Sequence, residues 1–335
     1  MNPDSELPVR ILGTGVYRPR EVIDSVAFDR RWQREPGWTE RHCGVARRHR
    51  AAPDETSSWM GARAAESALA AAGVAGDELD AIVSACSVME QAIPCLGVQI
   101  QQRMGLGASG IPAFDVNATC LGFVAALDLV ACALATGRYR RVLIVSSEVA
   151  SAGLDADDPT TAPLFGDGAA AVVLGRCPDR ASALLACRLA TYGDGHELCQ
   201  LRAGGTSLRV ADDPVAHAAG ARFAMDGRGL YRLTRNHLPA FVERLLTAAG
   251  RGLDGLDCIV PHQASGQGLD HMVAALGMPP ERVVRILPEV GNLVAASIPT
   301  ALHHAIVDGR LRRGQHCLLL GTGAGLSLGG AVLRY

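Results

Sequence analysis

Aromatic side chains make up only 4% of this 335-residue chain, so its core must be built mainly from aliphatic residues and alanine. Neither sign of charge prevails: 32 Lys and Arg stand against 34 Asp and Glu, a formal net charge of -2. That balance gives no electrostatic case for nucleic acid as a partner. No run of about 18 apolar residues without charge occurs, so no membrane span is expected. Residues 1–8 are polar and acidic and lack the apolar core of a secretion signal. The ten cysteines never form a CxxC pair and are spread through apolar segments. Reduced thiols and a cytoplasmic location are therefore expected, with no disulfide framework and no metal site. What the chain does have is 48% hydrophobic residues and 38 glycines. Its length supports a large core, with many turns and close backbone approaches.

Taken in order, residues 9–16 read as a strand ending in a Gly13-Thr14-Gly15 turn. No GxGxxG continues into a helix, so a dinucleotide fingerprint is discounted. Residues 24–52 are charged and include Trp32, Trp38 and the cluster Arg47-Arg48-His49-Arg50. Such a cluster reads as a solvated face, or as a surface that meets an acidic carrier or a phosphate. An Ala-rich helix is predicted over 58–73 with Gly73 as its stop, then a buried strand over 80–86 and a helix over 94–106. A strand is expected at 142–146, a turn at Phe165-Gly166-Asp167-Gly168, and a strand at 169–174.

The second half repeats this order. Ala71-Ala72-Gly73, Leu79-Asp80 and Ile82-Val83 recur 177 positions on as Ala248-Ala249-Gly250, Leu256-Asp257 and Ile259-Val260. Gly137-Arg138-Tyr139-Arg140-Arg141 recurs 172 positions on as Gly309-Arg310-Leu311-Arg312-Arg313. Two homologous βαβ-rich halves are therefore predicted, over 1–178 and 179–335.

The stretch Asp115-Val116-Asn117-Ala118-Thr119-Cys120-Leu121-Gly122-Phe123 reads as strand, sharp turn and buried helix. Cys120 then sits at a helix N-terminus, where backbone N–H groups and the helix dipole lower a thiol pKa. A buried core cysteine is the alternative for this stretch alone. Adding 172 to Cys120 leads to Asn292, so the two are expected at equivalent helix starts facing one pocket. His262 follows a strand, at the mouth of the sheet, where ligands bind in α/β folds. Taken singly, His262 reads equally as a turn residue and Asn292 as a helix cap. Gly321-Thr322-Gly323-Ala324-Gly325 has backbone N–H groups that can cradle an oxyanion, or is a tight turn.

Together these residues carry a resemblance. From Ile11-Leu12-Gly13-Thr14-Gly15 to the C-terminal stretch 323–335, the chain resembles the thiolase-fold condensing enzymes, specifically β-ketoacyl-acyl-carrier-protein synthase III. The motifs are the Cys120 stretch, Pro261-His262-Gln263-Ala264, and Gly291-Asn292 followed by Ala295-Ala296-Ser297-Ile298-Pro299. The resemblance implies an α/β thiolase-like fold with a five-layered α-β-α-β-α core. It implies that Cys120 attacks an acyl thioester and holds the acyl group, with the N–H groups of Cys120 and Ala324 as oxyanion hole. His262 and Asn292 would bind the thioester carbonyl of malonyl-acyl carrier protein as CO2 leaves. Trp38, Ile93, Gly323 and Gly325 fall at substrate-binding positions. Trp38 would pack against the coenzyme A end, and Ile93 would reach into the partner's acyl pocket in a homodimer. Coenzyme A or phosphopantetheine thioesters are substrates, and no cofactor is required.

The match is incomplete at the entrance. His42-Cys43-Gly44 stands where the family has Arg-Thr-Gly, and Pro159 lies near a second expected arginine. Ser265 replaces an asparagine, and Gln267 replaces a basic residue on the carrier-protein face. These departures point to a specialised member. Acyl transfer from Cys120 to oxygen or nitrogen, or a silent partner subunit, are the alternatives to condensation.

Overall fold

The computed structural model describes residues 6–335, so residues 1–5 of the polar N-terminal stretch lie outside the described residues. One sheet contains β1 (Val9–Tyr17), β2 (Ala81–Ser84), β3 (Ala113–Asp115), β4 (Arg141–Glu148) and β5 (Gly168–Arg176), in the order β1-β5-β4-β2-β3. A second contains β6 (Ala183–Thr191), β7 (Cys258–Pro261), β8 (His316–Gly323) and β9 (Ser327–Arg334), in the order β7-β8-β9-β6. In the first, β1–β5 and β5–β4 pair antiparallel and β4–β2 parallel. In the second, β6–β9 and β9–β8 pair antiparallel and β8–β7 parallel. One strand order with one set of directions thus occurs twice. In place of β3, the second half has the single parallel bridge Ile259–Val283.

The helices that cover these sheets are α1 (Ser57–Ala72), α2 (Leu96–Arg103), α3 (Gly122–Ala135), α4 (Gly227–Ala249), α5 (Gly266–Leu276) and α6 (Ser297–Val307). Alternate strand residues face opposite layers. Val142 and Ile144 join the central core with α3 and α6, whereas Leu143 and Val145 face α1 and α2. Leu319 joins the central core, whereas Leu318 and Leu320 face α4. The result is the five-layered thiolase arrangement. α3 is apolar on nearly every side because it lies between two sheets. Its Phe123, Leu127 and Leu134 are fully buried, each contributing about 1.5–3 kcal/mol.

The repeated glycines end repeated helices in the left-handed conformation: Gly73 and Gly250 have φ 63° and 62°, Gly137 and Gly309 have φ 75° and 72°. Gly13 and Gly15 bring β1 against α1. A Cβ there would lie 2.4 Å from the Ala68 carbonyl oxygen or 2.3 Å from that of Ala64. The GxG pattern is thus a strand–helix contact.

Two expectations are corrected. The basic cluster is not one solvated face, because it forms a strand: Arg47 and Arg50 are exposed while Arg48 is only 2% exposed. The Arg48 guanidinium donates to the carbonyls of Ile23 and Pro163 and to Ser25 Oγ, and lies 4.8 Å from the Phe28 ring centre. The second correction concerns Cys120 and Asn292. α3 begins at Gly122 and α6 at Ser297, a spacing of 175, but α3 has 14 residues and α6 only 11. The 172 spacing holds only after the helices. The position equivalent to Cys120 is Ala295, and Asn292 is equivalent to Asn117.

Candidate active site

The Cys120 turn is set by the residues before it. The Asp115 carboxylate accepts from the N–H groups of Leu96 and Gly97, at 3.0 and 2.7 Å, and anchors the end of β3 to α2. Asn117 Oδ1 then accepts from Thr119 N–H at 2.9 Å. Thr119 has φ 50°, a left-handed conformation that is costly for a β-branched residue. Gly122 opens α3 where a Cβ would lie 2.9 Å from the Ala85 carbonyl oxygen. Cys120 therefore lies on a sharp bend two residues ahead of the helix.

The thiol pKa is not lowered there. Burial pushes it up to about 12, with Cys199 and Glu148 adding to the rise; the N–H groups of Cys120 and Ala324 oppose it. Desolvation outweighs the helix end. Those same two N–H groups are the ones expected to hold an oxyanion.

His262 follows β7 and is 5% exposed. Its N–H donates to the Leu320 carbonyl at 2.8 Å, fixing it to β8. Nδ1 has no partner, and burial lowers the ring pKa to about 4, so the imidazole is neutral at pH 7. Asn292 is also 5% exposed. Its Nδ2 donates to the Ala264 carbonyl at 3.2 Å, and its Oδ1 accepts from Val294 N–H at 2.9 Å. The side chain thus ties the His262 loop to the α6 turn.

Glycines let these segments converge. A Cβ on Gly321 would lie 2.9 Å from His262 Cβ and 3.1 Å from Leu121. One on Gly323 would lie 2.7 Å from Thr119 Oγ1. Ala324, Gly325 and Leu326 link β8 to β9, with Gly325 at φ 125°. The Cys120 bend, His262, Asn292 and the Gly323–Gly325 turn therefore belong to one region. Among the described residues, no three His, Cys, Asp or Glu side chains are grouped to hold a metal ion.

The remaining predicted residues lie further out. Trp38 opens a short helix, Trp38–Cys43, and Gly44 beyond it abuts Gly266 at the start of α5. Its ring stacks on His42 at 3.8 Å and 25°, and the Arg34 guanidinium lies 5.0 Å from it. Ser265 Oγ accepts from Gly268 N–H and caps α5. Ile93 stands out from the surface at 86% exposure and is not brought to Cys120 in this chain.

The sequence showed Gln263 only as part of a motif and gave Glu148 no role, yet both are buried. Gln263 donates to the carbonyls of Pro261 and Val284, and its Oε1 accepts from the N–H groups of Ile286 and Leu287. Glu148 is fully buried at the end of β4. Its signal was a lone acid closing the apolar run Val142–Val145.

Fold and site together define a thiolase-fold condensing protein with a Cys-His-Asn set. Residues 114–193 match the family model for 3-oxoacyl-[acyl-carrier-protein (ACP)] synthase III, and residues 246–335 match the model for its C-terminal part. The chain is 36% identical over 330 residues to the β-ketoacyl-[acyl-carrier-protein] synthase III of Methylococcus capsulatus, covering 97% of this chain and 98% of the relative. It is 34% identical over 326 residues to that of Laribacter hongkongensis, covering 97% and 99%. The crystal structure of 3-oxoacyl-(acyl carrier protein) synthase III from Pseudomonas aeruginosa PAO1 superposes with TM-score 0.88 at 34% identity, covering 98% of each chain. The priming β-ketosynthase of the R1128 polyketide pathway superposes with TM-score 0.87 at 31% identity, covering 98% of this chain and 96% of that one. The chain belongs to the 3-oxoacyl-[acyl-carrier-protein] synthase III family, and is an acyltransferase of that type.

Proposed function

We propose that Cys120 takes an acyl group from a thioester and transfers it, with loss of CO2, to malonyl-acyl carrier protein. The Cys120 sulfur attacks the thioester carbonyl, and its proton passes to the donor sulfur, whose bond to the carbonyl carbon breaks. The N–H groups of Cys120 and Ala324 receive the oxyanion, and the donor thiol departs. The malonyl thioester then loses its carboxylate as CO2, leaving an enolate whose oxygen accepts from the His262 ring and from Asn292. The enolate carbon attacks the acyl carbonyl, a C–C bond forms, and the C–S bond to Cys120 breaks.

The observation that carries this reading is the buried His262, its Nδ1 without a partner, on the loop that Asn292 holds at Ala264. A neutral donor favours negative charge on the carbonyl oxygen without protonating the carbanion. Desolvation strengthens both hydrogen bonds. The substrates in this scheme are thioesters of coenzyme A or of a carrier phosphopantetheine, and no resident cofactor is invoked. A cytoplasmic place in fatty-acid or polyketide-like biosynthesis fits a chain in which, among the described residues, no helix is long and apolar enough to cross a membrane.

A homodimer is part of the proposal. β3 is a free sheet edge with Phe114 41% exposed, and Val98 on the adjoining α2 and Ile93 are also exposed. Ile93 would enter the partner's acyl pocket across that edge. The stacking of His42 on Trp38, in place of an arginine, fits a donor site that differs from the usual one.

Intact-protein mass spectrometry with acyl-coenzyme A and acyl-carrier-protein donors tests the first half-reaction. A covalent gain is expected, absent in Cys120→Ala. Malonyl-carrier protein should then release CO2. Product on an alcohol or amine without CO2 would favour transfer to a heteroatom. No gain with any donor would favour a silent partner subunit.

A further inference from the structure

The duplication places two equivalent bends in the molecule. Asn117 Oδ1 accepts from Thr119 N–H, and 175 positions on Asn292 Oδ1 accepts from Val294 N–H, both at 2.9 Å. Thr119 and Val294 both have φ 50°. The strands β4 and β8 share the same spacing, so their last residues, Glu148 and Gly323, are also equivalent. Gly323 lies against the Thr119 bend, where a Cβ would meet Thr119 Oγ1 at 2.7 Å and only a glycine leaves room. At the other bend, β4 packs against the Val294–Ala296 turn, and the Glu148 carboxylate at its end faces the equivalent N–H, of Ala295. The same carboxylate accepts from Ser87 N–H at 2.6 Å and Val88 N–H at 2.9 Å.

We propose that Glu148 is a positioning residue for condensation: its carboxylate occupies the second bend as an oxyanion occupies the first, and so holds Asn292 in its working geometry. Val294 is β-branched and left-handed, so its bend persists only if its neighbours over-determine it. Asn292 fixes one side through Val294 N–H, and Glu148, which faces Ala295, bounds the other. The hold at Ser87 and Val88 also ties this bend to the loop that leads to Ile93. This inference rests on the role proposed above for Asn292.

The hold varies with pH. Burial pushes the Glu148 carboxyl up to about 8, opposed by the three N–H groups; Asp167 raises it further. The titratable groups facing it are Asp167, Cys120 and Cys86, and Arg50 faces Asp167 in turn. The ionised form accepts the stronger hydrogen bonds. The grip on Asn292 therefore tightens as pH rises through about 8. Its folded pKa lies above the usual carboxyl value of 4.5, so its contribution to stability is full below that pH and is lost as pH rises from there to about 8.

The test uses Glu148→Gln, with Glu148→Asp as a second variant, in full-length protein. Condensation by pre-acylated enzyme is followed at pH 6 and pH 9. Wild type should speed up across this range, whereas Glu148→Gln should stay flat and fall about 100-fold behind at pH 9, the scale of a misplaced active-site group. Acylation of Cys120 should not fall in Glu148→Gln, since losing that charge eases ionisation of the thiol, and Glu148→Asp should restore part of the pH response of condensation. In an Asn292→Ala background the Gln substitution should cost nothing further. Equal loss of acylation and condensation, or losses that multiply with Asn292→Ala, would overturn the proposal. Hydrogen exchange at Ala295 reads the hold directly: it should quicken in Glu148→Gln, and unchanged exchange would sink the idea. Wild type that acylates but never condenses would instead remove the condensation reading, with the exchange result still deciding whether Glu148 holds the bend.

Discussion

The Thr119–Cys120 bend and the Val294–Ala295 bend have one backbone and two chemistries. Each has an asparagine two residues before a left-handed β-branched residue, and each leads into a helix buried between the sheets. At the first, a thiol side chain stands on the bend and Gly323 lies against it, where the proposed scheme places the substrate oxyanion. At the second, alanine replaces the cysteine, and a carboxylate replaces the glycine at the adjacent strand end. The second asparagine also gains a task, since Asn292 Nδ2 donates to Ala264 beside His262. In the proposed scheme the first bend receives the substrate oxyanion, and the second, faced by Glu148, mounts Asn292.

If the bends do different work, equivalent substitutions should separate the two half-reactions. Asn292→Ala should lower condensation about 10²–10³-fold, the scale of losing one oxyanion donor, while Cys120 still acylates. Asn117→Ala should instead slow acylation, by about 10–100-fold, because the Cys120 N–H loses its orientation. Single-turnover acylation and CO2 release measured on both variants check this. Parallel losses in both steps would erase the distinction between the bends.

The pH response of the thiol is a smaller effect. With a pKa near 12, free Cys120 is a thiol at neutral pH, and its thiolate fraction rises about tenfold per pH unit from 7 to 10. Alkylation by iodoacetamide should rise in step, read by mass spectrometry against Cys120→Ala. A plateau by pH 8 would mean that the bend stabilises the thiolate after all, as the helix end alone had suggested. Deprotonation would then precede attack, where a pKa near 12 requires it to accompany attack.

The duplication was legible in the sequence because it leaves paired glycines that only left-handed helix ends demand. The Cys120, His262 and Asn292 motifs stood out in the sequence because they lie beside strands, and the structure brings their segments into one region. The pairing of Asn292 with Cys120 misled, because a three-residue difference in helix length is invisible until helix starts are known. Glu148 was hidden for another reason. Its partners are the backbone N–H groups of residues 87 and 88, and main-chain donors leave no mark in a sequence. The strain at Thr119 and Val294 was hidden likewise, since neither residue type announces a positive φ. Arg48 misled because three basic neighbours concealed the alternation of a strand.

The smallest expected effect concerns that strain. A left-handed conformation costs a residue with a Cβ roughly 1–2 kcal/mol, which Val294→Gly removes. Glycine restores about 0.5–1 kcal/mol of chain entropy to the unfolded state. It also gives up the packing of Val294 against the cluster of Leu164, Phe165 and Leu287. These contributions oppose one another, so urea denaturation should show a change within about 1 kcal/mol. Thr119→Gly should behave similarly in stability, since its bend carries the same φ. The two variants should part in function, with Val294→Gly slowing condensation and Thr119→Gly slowing acylation. A stability loss above about 2 kcal/mol for Val294→Gly would mean that packing, not the hold by Asn292 and Glu148, keeps the second bend in place.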